Sequence, residues 1–241
     1  MYHNTIKFYY RKLINHYSKY PIIYNNGFGF QRTLDYFGIN CVLDVGAYTG
    51  TYAQSLRRFG YSNKIISFEP LSESHQKLLN NSKLDKNWII HEKIALGSEE
   101  KKSKIFVSKK KDSSSILKIN RNHLSVEPKS KIIGTESINI KRLDDIIKSY
   151  SKINLSKSLL KIDTQGYEFE VLKGSKKLLK KIKLIQLELS LVELYSKQKS
   201  NDEILKFLHN YNFLIWNIIP GFKNKKNNRL LQYDMILFKS N

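Results

Sequence analysis

The segment VLDVGAYTG at residues 42–50 combines an apolar run, a carboxylate and two glycines. The apolar run is typical of a buried strand, and Asp44 lies two residues before the turn that follows it. Gly46 and Gly50 permit a tight turn and a close approach of the backbone to a ligand. The next segment, TYAQSLRRF, predicts a helix whose first N–H groups also face the turn. The segment therefore predicts a ligand site at the end of a strand.

The spacing of these residues argues against a bound dinucleotide. The G-x-G-x-x-G fingerprint has a glycine where this chain has Tyr48, and the Tyr48 side chain would crowd a pyrophosphate. Asp44 would repel a pyrophosphate, but its carboxylate could accept hydrogen bonds from an ammonium group. A zwitterionic amino acid joined to a nucleoside suits such a site, and S-adenosylmethionine is a ligand of this kind.

Glu69 adds a second carboxylate, 19 residues after Gly50. It ends the run IISFE, and Pro70 stops this strand so that the acid faces the cleft. A carboxylate at this position can accept hydrogen bonds from both ribose hydroxyls. Taken singly, Asp44 could be a polar strand end and Glu69 an acid in the first turn of a helix. Together they favour a nucleoside site.

The remaining chain predicts the sheet that would hold these residues at one edge. Short runs rich in Val and Ile alternate with segments long enough for helices, which is the pattern of a parallel sheet with crossover helices. The last two runs have no room for a helix between them and predict an antiparallel pair. The predicted strands are 41–45, 64–69, 88–94, 158–163, 183–189, 212–219 and 229–238, and the predicted helices are 51–59, 72–82, 143–150 and 201–211.

Length and composition favour one main domain, although the length alone also permits two. A chain of 241 residues with 41% hydrophobic content can bury one sizeable core. Residues 1–36 predict a helical extension laid over the sheet or the site, with an amphipathic membrane contact as the alternative. The main domain is expected at 37–241. Within it, residues 98–136 predict a short strand and a serine-rich tract that forms a mobile loop, an inserted hairpin or a lid over the substrate.

The charge of the chain permits two interpretations. With 42 Lys and Arg against 21 Asp and Glu, the net charge is +21, which could attract a polyanion. Only 7 of the 42 basic residues are Arg, the residue suited to bidentate phosphate contacts. This favours a solvated lysine surface over a nucleic-acid site and leaves an acidic substrate or a peripheral membrane contact open. No apolar run reaches the roughly 20 residues of a membrane span, and the polar N-terminus does not resemble a signal peptide, so we expect a cytoplasmic protein.

Seven segments, in order along the chain, resemble the FkbM-family methyltransferases, a branch of the class I S-adenosylmethionine-dependent enzymes. The first two segments are shared by many methyltransferases, whereas the run K-I-D-x-Q-G-x-E-x-x-V-L-K-G is far more specific. The resemblance covers roughly residues 40–238. The segments are VLDVGAYTG (42–50), IISFEP (65–70), IALG (94–97), INIKRLDDII (138–147), LLKIDTQGYEFEVLKG (159–174), LIQLELSLVELY (184–195) and QYDMILF (232–238).

The resemblance implies a fold and a cofactor site. The fold would be a Rossmann-like, seven-stranded, mostly parallel sheet with helices on both faces and an antiparallel last strand. The first turn would surround the methionine half of S-adenosylmethionine, Glu69 would bind the ribose, and the segment around Ala95 would border the adenine. The cofactor-binding residues expected by motif position are Asp44, Gly46, Ala47, Tyr48, Gly50, Glu69, Pro70, Ala95 and Leu96.

The chemistry of methyl transfer suggests the remaining roles. A sugar hydroxyl is a poor nucleophile and benefits from a general base within hydrogen-bond reach. The resemblance implies that Asp163 lies beside the sulfonium and the substrate, so Asp163 is the first candidate for the base and Glu188, on the next strand, is the second. Two such acids could also hold a divalent cation, but no metal ligands are predicted. Gln165, Glu168 and His123 are candidates for substrate contact, although Gln165 could shape a turn and Glu168 could be a first-turn helix acid.

These observations lead to three hypotheses from different classes. The first is an O-methyltransferase acting on a hydroxyl of a sugar, glycan, glycolipid or related small molecule. The second is a nucleic-acid methyltransferase, which the net charge of +21 favours and the absence of an N-P-P-Y or Cys nucleophile motif opposes. The third is a module that binds S-adenosylmethionine without catalysis.

Overall fold

A computed structural model describes residues 21–240 of the chain, so the extension predicted for the first 20 residues lies outside the described range. The part of the extension that is described forms a helix. The strands are β1 (Cys41–Val45), β2 (Lys64–Phe68), β3 (Trp88–Ile90), β4 (Ala95–Leu96), β5 (Lys101–Ser108), β6 (Ile132–Lys141), β7 (Ser158–Ile162), β8 (Leu184–Ser190), β9 (Phe213–Pro220) and β10 (Gln232–Lys239).

Helices separate most of these strands. Short 3-10 turns add to them at Lys111–Ser113, Pro128–Ser130, Ile147–Ser149 and Leu155–Lys157. The α-helices are α1 (Pro21–Tyr36), α2 (Thr51–Arg58), α3 (Ser72–Ser82), α4 (Arg121–Val126), α5 (Leu143–Ile146), α6 (Glu168–Lys173), α7 (Lys176–Leu179) and α8 (Asn201–His209). Within residues 21–240, none of the helices combines the length and the apolar character needed to cross a membrane.

The main sheet has seven strands in the order β3-β2-β1-β7-β8-β10-β9. β1 pairs in parallel with β2 on one side and with β7 on the other. β10 runs antiparallel to both of its neighbours, β8 and β9. The predicted fold class, a mostly parallel Rossmann-like sheet with an antiparallel last strand, is therefore confirmed.

Alternating residues of the buried strands supply a hydrophobic core on each face of the sheet. Val42 of β1 packs with residues of α1, α2 and α3, including Leu34 and Leu56. Leu43, the next residue of β1, packs on the opposite face with residues of α6, α7 and α8, including Leu172 and Leu208. This alternation of successive side chains across a strand explains why helices cover both faces.

The strand predicted at 88–94 is wrong in its extent. The structure divides this segment into β3, which pairs with β2, and β4, which pairs with β6 in a separate three-stranded sheet of order β4-β6-β5. The residues between the two strands include Glu92 and Lys93, which are exposed. Their charged side chains cannot be buried in the interior of a parallel sheet without paired partners, so the chain leaves the sheet after Ile90.

The region 98–136 builds most of the smaller sheet. β5 and β6 pair antiparallel from Lys101 to Ser108, and the predicted strand KIFVS forms the second half of β5. The connection between β5 and β6 folds back as Ser115 pairs with Phe106 and Ile119 pairs with Tyr195. The serine-rich tract therefore lies against the loop that follows β8, above the carboxyl edge of the main sheet.

Candidate functional site

A cavity of about 420 Å³ lies at the carboxyl ends of the central strands. Its floor comes from β1, β7, β8 and β10, one wall comes from α1 and α2 through Phe30 and Tyr52, and another comes from residues 110–116 of the serine-rich tract. The strand order changes direction between β1 and β7, and crevices at such switch points are where open α/β sheets bind ligands. The volume is within the range of small-molecule sites.

The first turn after β1 depends on glycines for its packing. Gly46 adopts a φ of +75°, and a Cβ at this position would overlap the backbone carbonyl of Asp163. Gly50 adopts a φ of +89°, and a Cβ there would overlap the ring of Trp88. Gly46 lines the cavity and Gly50 does not. Glycine is therefore required at both positions because two protein segments approach each other there. The sequence analysis had instead expected a ligand to approach the backbone at these glycines.

Glu69 lies where the sequence predicts it, at the edge of the cavity beside Pro70. Its Oε2 accepts a hydrogen bond of 2.8 Å from the backbone N–H of Tyr48, and its Oε1 accepts one of 2.9 Å from that of Leu71. The side chain is only 5% exposed, and this burial raises the pKa of Glu69 to about 7 although the two hydrogen bonds act to lower it. Each oxygen still has capacity for a further donor, as a diol requires.

Most of the predicted cofactor-binding residues meet at this cavity. The apolar part of the lining includes Leu71 and Ile94 beside the two residues of β4. Asp44 and Gly50 do not contribute to the lining. The predicted residues that do are Gly46, Ala47, Tyr48, Glu69, Pro70, Ala95 and Leu96.

Asp44 lies below the cavity, fully buried and paired with a residue that the sequence analysis missed. Its Oδ1 is 3.1 Å from Nζ of Lys161, and its Oδ2 accepts a hydrogen bond of 3.2 Å from Ser67. Lys161 also donates to the carbonyl of Gly46 at 3.2 Å and lies 3.6 Å from Oδ2 of Asp163. Asp44 therefore contacts an ammonium group of the protein itself in this structure.

Lys161 is a buried cation that lines the cavity. Burial alone would lower its pKa, but the carboxylates of Asp44 and Asp163 outweigh this effect and raise it. The side chain is therefore charged at neutral pH. Its signal in the sequence is the lysine inside the apolar run LLKI, because a lysine in a buried strand requires a carboxylate partner.

Asp163 and Glu188, the two candidates for the base, both line the cavity and are joined by Gln165. Nε2 of Gln165 donates to Oδ1 of Asp163 at 2.7 Å and to Oε2 of Glu188 at 2.8 Å. Oε1 of Gln165 accepts a hydrogen bond of 2.6 Å from the hydroxyl of Tyr195. Gln165 holds this position with a φ of +58°, which is rare for a residue other than glycine. Its amide is therefore engaged by the protein itself.

Three further polar residues, all missed from the sequence, lie on the same face of β8 and β10. Gln232 donates to Oε2 of Glu188 at 2.8 Å, and Gln186 accepts a hydrogen bond of 2.7 Å from the hydroxyl of Tyr52. Asp234 is the cross-strand partner of Glu188. The signal in the sequence is the pair of polar residues two positions apart in each apolar strand, since such residues share a face.

Burial shifts the pKa values of the acids at this end of the cavity. It raises the pKa of Glu188 well above the usual carboxyl range, and the charges of Asp163 and Asp234 raise it further. Burial also raises the pKa of Asp234 to about 6, with Asp163 adding to the effect. Both groups therefore keep their protons at a higher pH than an exposed carboxyl group does.

Of the two remaining candidates for substrate contact, His123 lines the cavity and Glu168 does not. Glu168 does not line the cavity, because its Oε1 accepts hydrogen bonds from the backbone N–H groups of Thr164 at 2.9 Å and Gly166 at 3.1 Å. Burial raises its pKa to about 7. His123 does line the cavity, with its ring near those of Tyr195 and Phe222. Burial lowers its pKa to about 4, so the imidazole is neutral at physiological pH.

Within residues 21–240, no three His, Cys, Asp or Glu side chains are arranged so that they could hold a metal ion. The sheet order and the cavity at its switch point define a Rossmann-like α/β protein with a site for a nucleoside-containing ligand. A family model described as the methyltransferase FkbM domain matches residues 44–215. The chain belongs to this family, which makes it an S-adenosylmethionine-dependent methyltransferase and confirms the resemblance seen in the sequence.

The chain is also similar in structure to solved proteins at low sequence identity. A methyltransferase from Clostridium acetobutylicum is 11% identical with a TM-score of 0.49, over 100% of both chains. An O-methyltransferase from Klebsiella pneumoniae, assigned only provisionally, is 10% identical with a TM-score of 0.48, over 90% of this chain and 80% of that one. Fibrillarin from Aeropyrum pernix, with natively bound S-adenosylmethionine, is 9% identical with a TM-score of 0.46, over 82% of this chain and 66% of that one. No curated protein matches the chain.

Proposed function

We propose that this chain transfers a methyl group from S-adenosylmethionine to a hydroxyl group of a sugar, glycan, glycolipid or related small molecule. The observation that carries the proposal is the position of Glu188, a half-buried acid on the cavity lining whose Oε1 makes no hydrogen bond within residues 21–240 and can accept the proton of a hydroxyl group when ionised. A hydroxyl group needs such a base, because it is a poor nucleophile while it keeps its proton.

The residues of the cavity suit S-adenosylmethionine. Glu69 has an acceptor position free on each oxygen for the ribose hydroxyls, and Ala95 and Leu96 offer an apolar border for the adenine. When bound, the sulfonium supplies an electrophilic methyl group. Asp44 was expected to bind the cofactor's ammonium directly; we propose instead that Asp44 positions Lys161, which fixes the Gly46 turn from below.

The hydrogen bonds of the two acids favour Glu188 over Asp163 as the base. Both oxygens of Asp163 are engaged, because Gln165 donates to Oδ1 and Oδ2 faces the ammonium of Lys161. Glu188 has Oε2 fixed by two amides, whereas its Oε1 makes no hydrogen bond to any residue in the described range. This order is the reverse of the one expected from the sequence.

The proposed reaction is an in-line displacement. The bond between the acceptor oxygen and the methyl carbon forms as the sulfur–methyl bond breaks, and sulfur keeps the electron pair of that bond. The hydroxyl proton passes to Oε1 of Glu188. Gln165 and Gln232 hold the carboxylate in place, and the serine-rich tract above the cavity excludes water from the reacting groups.

The proposal is tested by comparing Glu188→Gln with the native chain. Incubation with methyl-labelled S-adenosylmethionine and a fractionated extract of the source organism should label an acceptor. We expect Glu188→Gln to lower the labelling rate about 10²–10⁴-fold, the usual contribution of a general base. The affinity of Glu188→Gln for S-adenosylhomocysteine, measured by calorimetry, should stay within about threefold of the native value. The reason is that Glu188 lies beyond the proposed cofactor half of the cavity.

Two comparisons sharpen this test. Glu99→Gln, at an exposed acid outside the cavity lining, should leave the rate unchanged. Asp163→Asn should lower both cofactor affinity and rate, since it removes a partner of Lys161. Full activity of Glu188→Gln would reject Glu188 as the base, and a labelled nucleic acid as the sole product would reject the proposed acceptor class.

A further inference from the structure

Two acids face each other across neighbouring strands in the part of the cavity farthest from Glu69. Glu188 on β8 and Asp234 on β10 are direct cross-strand partners, and both line the cavity. Like charges placed directly opposite each other on a sheet destabilise it. Such a pair either holds a proton, as the raised pKa values of both acids indicate, or binds a positive charge.

The nearby cations are already paired with other acids. Lys161 lies 3.1 Å from Asp44 and 3.6 Å from Asp163. The remaining lysines of the lining, Lys110 and Lys111, lie 3.6 Å from Asp112 and 3.3 Å from Glu73 respectively. Within the described residues, no lysine or arginine forms an ion pair with Glu188 or Asp234.

His123 adds an independent observation on the wall of the same cavity. Its Nε2 lies 3.1 Å from Oγ of Ser130, which donates to Oγ of Ser113 at 3.0 Å, which in turn donates to Asp112 at 3.3 Å. An ionised carboxylate only accepts hydrogen bonds, so the chain has one direction and assigns the proton of the neutral imidazole to Nε2. Nδ1 is then an acceptor.

This acceptor has no partner. The His123 side chain is 97% buried, at 3% exposure, and Nδ1 makes no hydrogen bond within residues 21–240. A buried polar atom without a partner is unfavourable unless a ligand or an ordered water satisfies it. The unpartnered atoms on the lining are therefore hydrogen-bond acceptors, namely Oε1 of Glu188 and Nδ1 of His123, while the neighbouring acid Asp234 receives a hydrogen bond from Gln186 and has no cation beside it in the described part of the chain.

Building on the proposed function, we infer that the acceptor is a vicinal amino alcohol, such as an amino sugar, whose protonated amine binds Asp234 while its neighbouring hydroxyl faces Glu188. The ammonium supplies the positive charge that the opposed acids lack, and a further N–H or O–H of the same molecule can donate to His123. Adjacent substituents on one ring match adjacent acids on paired strands, whose Cβ atoms lie about 5 Å apart in such pairs. A phosphate or carboxylate at this position would be repelled.

The experiment blocks amines in the acceptor without altering its hydroxyls. The extract is divided, one half is treated with an amine-selective acetylating reagent, and both halves are incubated with the native chain and methyl-labelled S-adenosylmethionine. We expect acetylation to reduce labelling at least tenfold, and the product from untreated extract to bind a cation exchanger at pH 7. Equal labelling of both halves, with a product that the exchanger does not retain, would overturn the inference and leave the proposed function standing.

Two further arms separate the remaining outcomes. An untreated extract that yields no labelled acceptor would reject the proposed function itself. Loss of labelling on adding a chelator would show that a divalent cation neutralises the acids and would overturn the amine assignment.

With the purified acceptor, Asp234→Asn should raise KM at least tenfold with kcat changed less than threefold, and KM for the N-acetylated acceptor should not change. An equal KM for the amine in both proteins would contradict the inference.

Discussion

A row of polar residues is buried beneath the cavity, and of its members only Lys161 reaches the lining. The indole N–H of Trp88 donates to Ser67 at 2.9 Å, Ser67 donates to Asp44 at 3.2 Å, and Asp44 pairs with Lys161. A buried ion pair is costly to desolvate, and removal of one partner leaves an uncompensated buried charge. This row therefore couples the shape of the Gly46 turn to the hydroxyl of Ser67 on β2 and to the charges of Asp44 on β1 and Lys161 on β7.

The pKa of Glu69 leads to a prediction for cofactor binding. Because burial raises this pKa to about 7, Glu69 is mainly protonated below pH 7 and mainly ionised above it. The ionised form accepts hydrogen bonds from both ribose hydroxyls, so we expect affinity for S-adenosylhomocysteine to rise between pH 6 and pH 8. Titration calorimetry should show this increase in the native chain and a flat, weaker affinity in Glu69→Gln.

Glu168 provides the matched control for this measurement. Its pKa is also raised to about 7 by burial, but its carboxylate binds the turn after β7 and does not line the cavity. Glu168→Gln should therefore keep the pH dependence of cofactor affinity. A flat profile in Glu168→Gln, or an unchanged slope in Glu69→Gln, would assign the titration to a residue other than Glu69.

Some of the charged residues of this site could be predicted from the sequence, and others could not. The acids at strand ends were predictable because an acid directly after an apolar run marks the edge of a parallel sheet. Asp234 was not found, because its role depends on the register that places it opposite Glu188. Lys161 was not found for a similar reason, since its partners Asp44 and Asp163 lie on β1 and just beyond its own strand.

At the scale of the elements, the site depends on how closely β1 and β7 approach each other beyond their last paired residues. The N–H of Asp163 donates to the carbonyl of Val45 at 3.1 Å, and Gly46 then turns over the Asp163 carbonyl with a positive φ. We expect Gly46→Ala to destabilise the fold by about 2 kcal/mol or more, because it combines backbone strain with a steric overlap. Urea denaturation followed by circular dichroism measures this change.

A second glycine tests whether the effect is specific to the turn. Gly134 lies in β6 and has no positive φ, and no atom lies within 4 Å of the position that a Cβ would occupy there. Gly134→Ala should therefore be neutral or stabilising by less than about 1 kcal/mol. A similar loss of stability in both variants would mean that the Gly46 turn is not a point of close packing.

The elements themselves were largely predictable, and the exceptions have physical causes. The alternation of apolar runs with helical segments predicted all seven strands of the main sheet. The helix predicted at 72–82 has the same bounds in the structure, Ser72–Ser82. Of the smaller sheet only the second half of β5 was predicted, and its pairing was missed because β4 has two residues and pairs with β6, which lies more than 35 residues later in the chain. A pairing between such distant segments leaves no periodic signal in either of them.

At the scale of the whole molecule, the surface and the cavity have opposite electrostatic character. The chain carries a net charge of +21, yet the acceptor end of the cavity is lined by Asp163, Glu188 and Asp234. Long-range attraction to polyanions therefore arises from the surface lysines, while the acids of the cavity oppose the entry of a phosphate. Surface binding and catalysis should consequently respond differently to salt.

This contrast gives a prediction for nucleic acid. We expect duplex RNA to bind the chain at low salt and to dissociate as salt rises, with a linear decrease of log affinity against log salt concentration that reflects displaced counterions. Methyl transfer to the small acceptor should change less than about twofold when RNA is added at about 0.15 M salt, since the RNA would occupy the lysine surface and not the acidic end of the cavity. Fluorescence anisotropy measures the binding, and labelled S-adenosylmethionine measures the transfer. Salt-resistant RNA binding that competes with the small acceptor would place a polyanion in the cavity and would favour the nucleic-acid hypothesis instead.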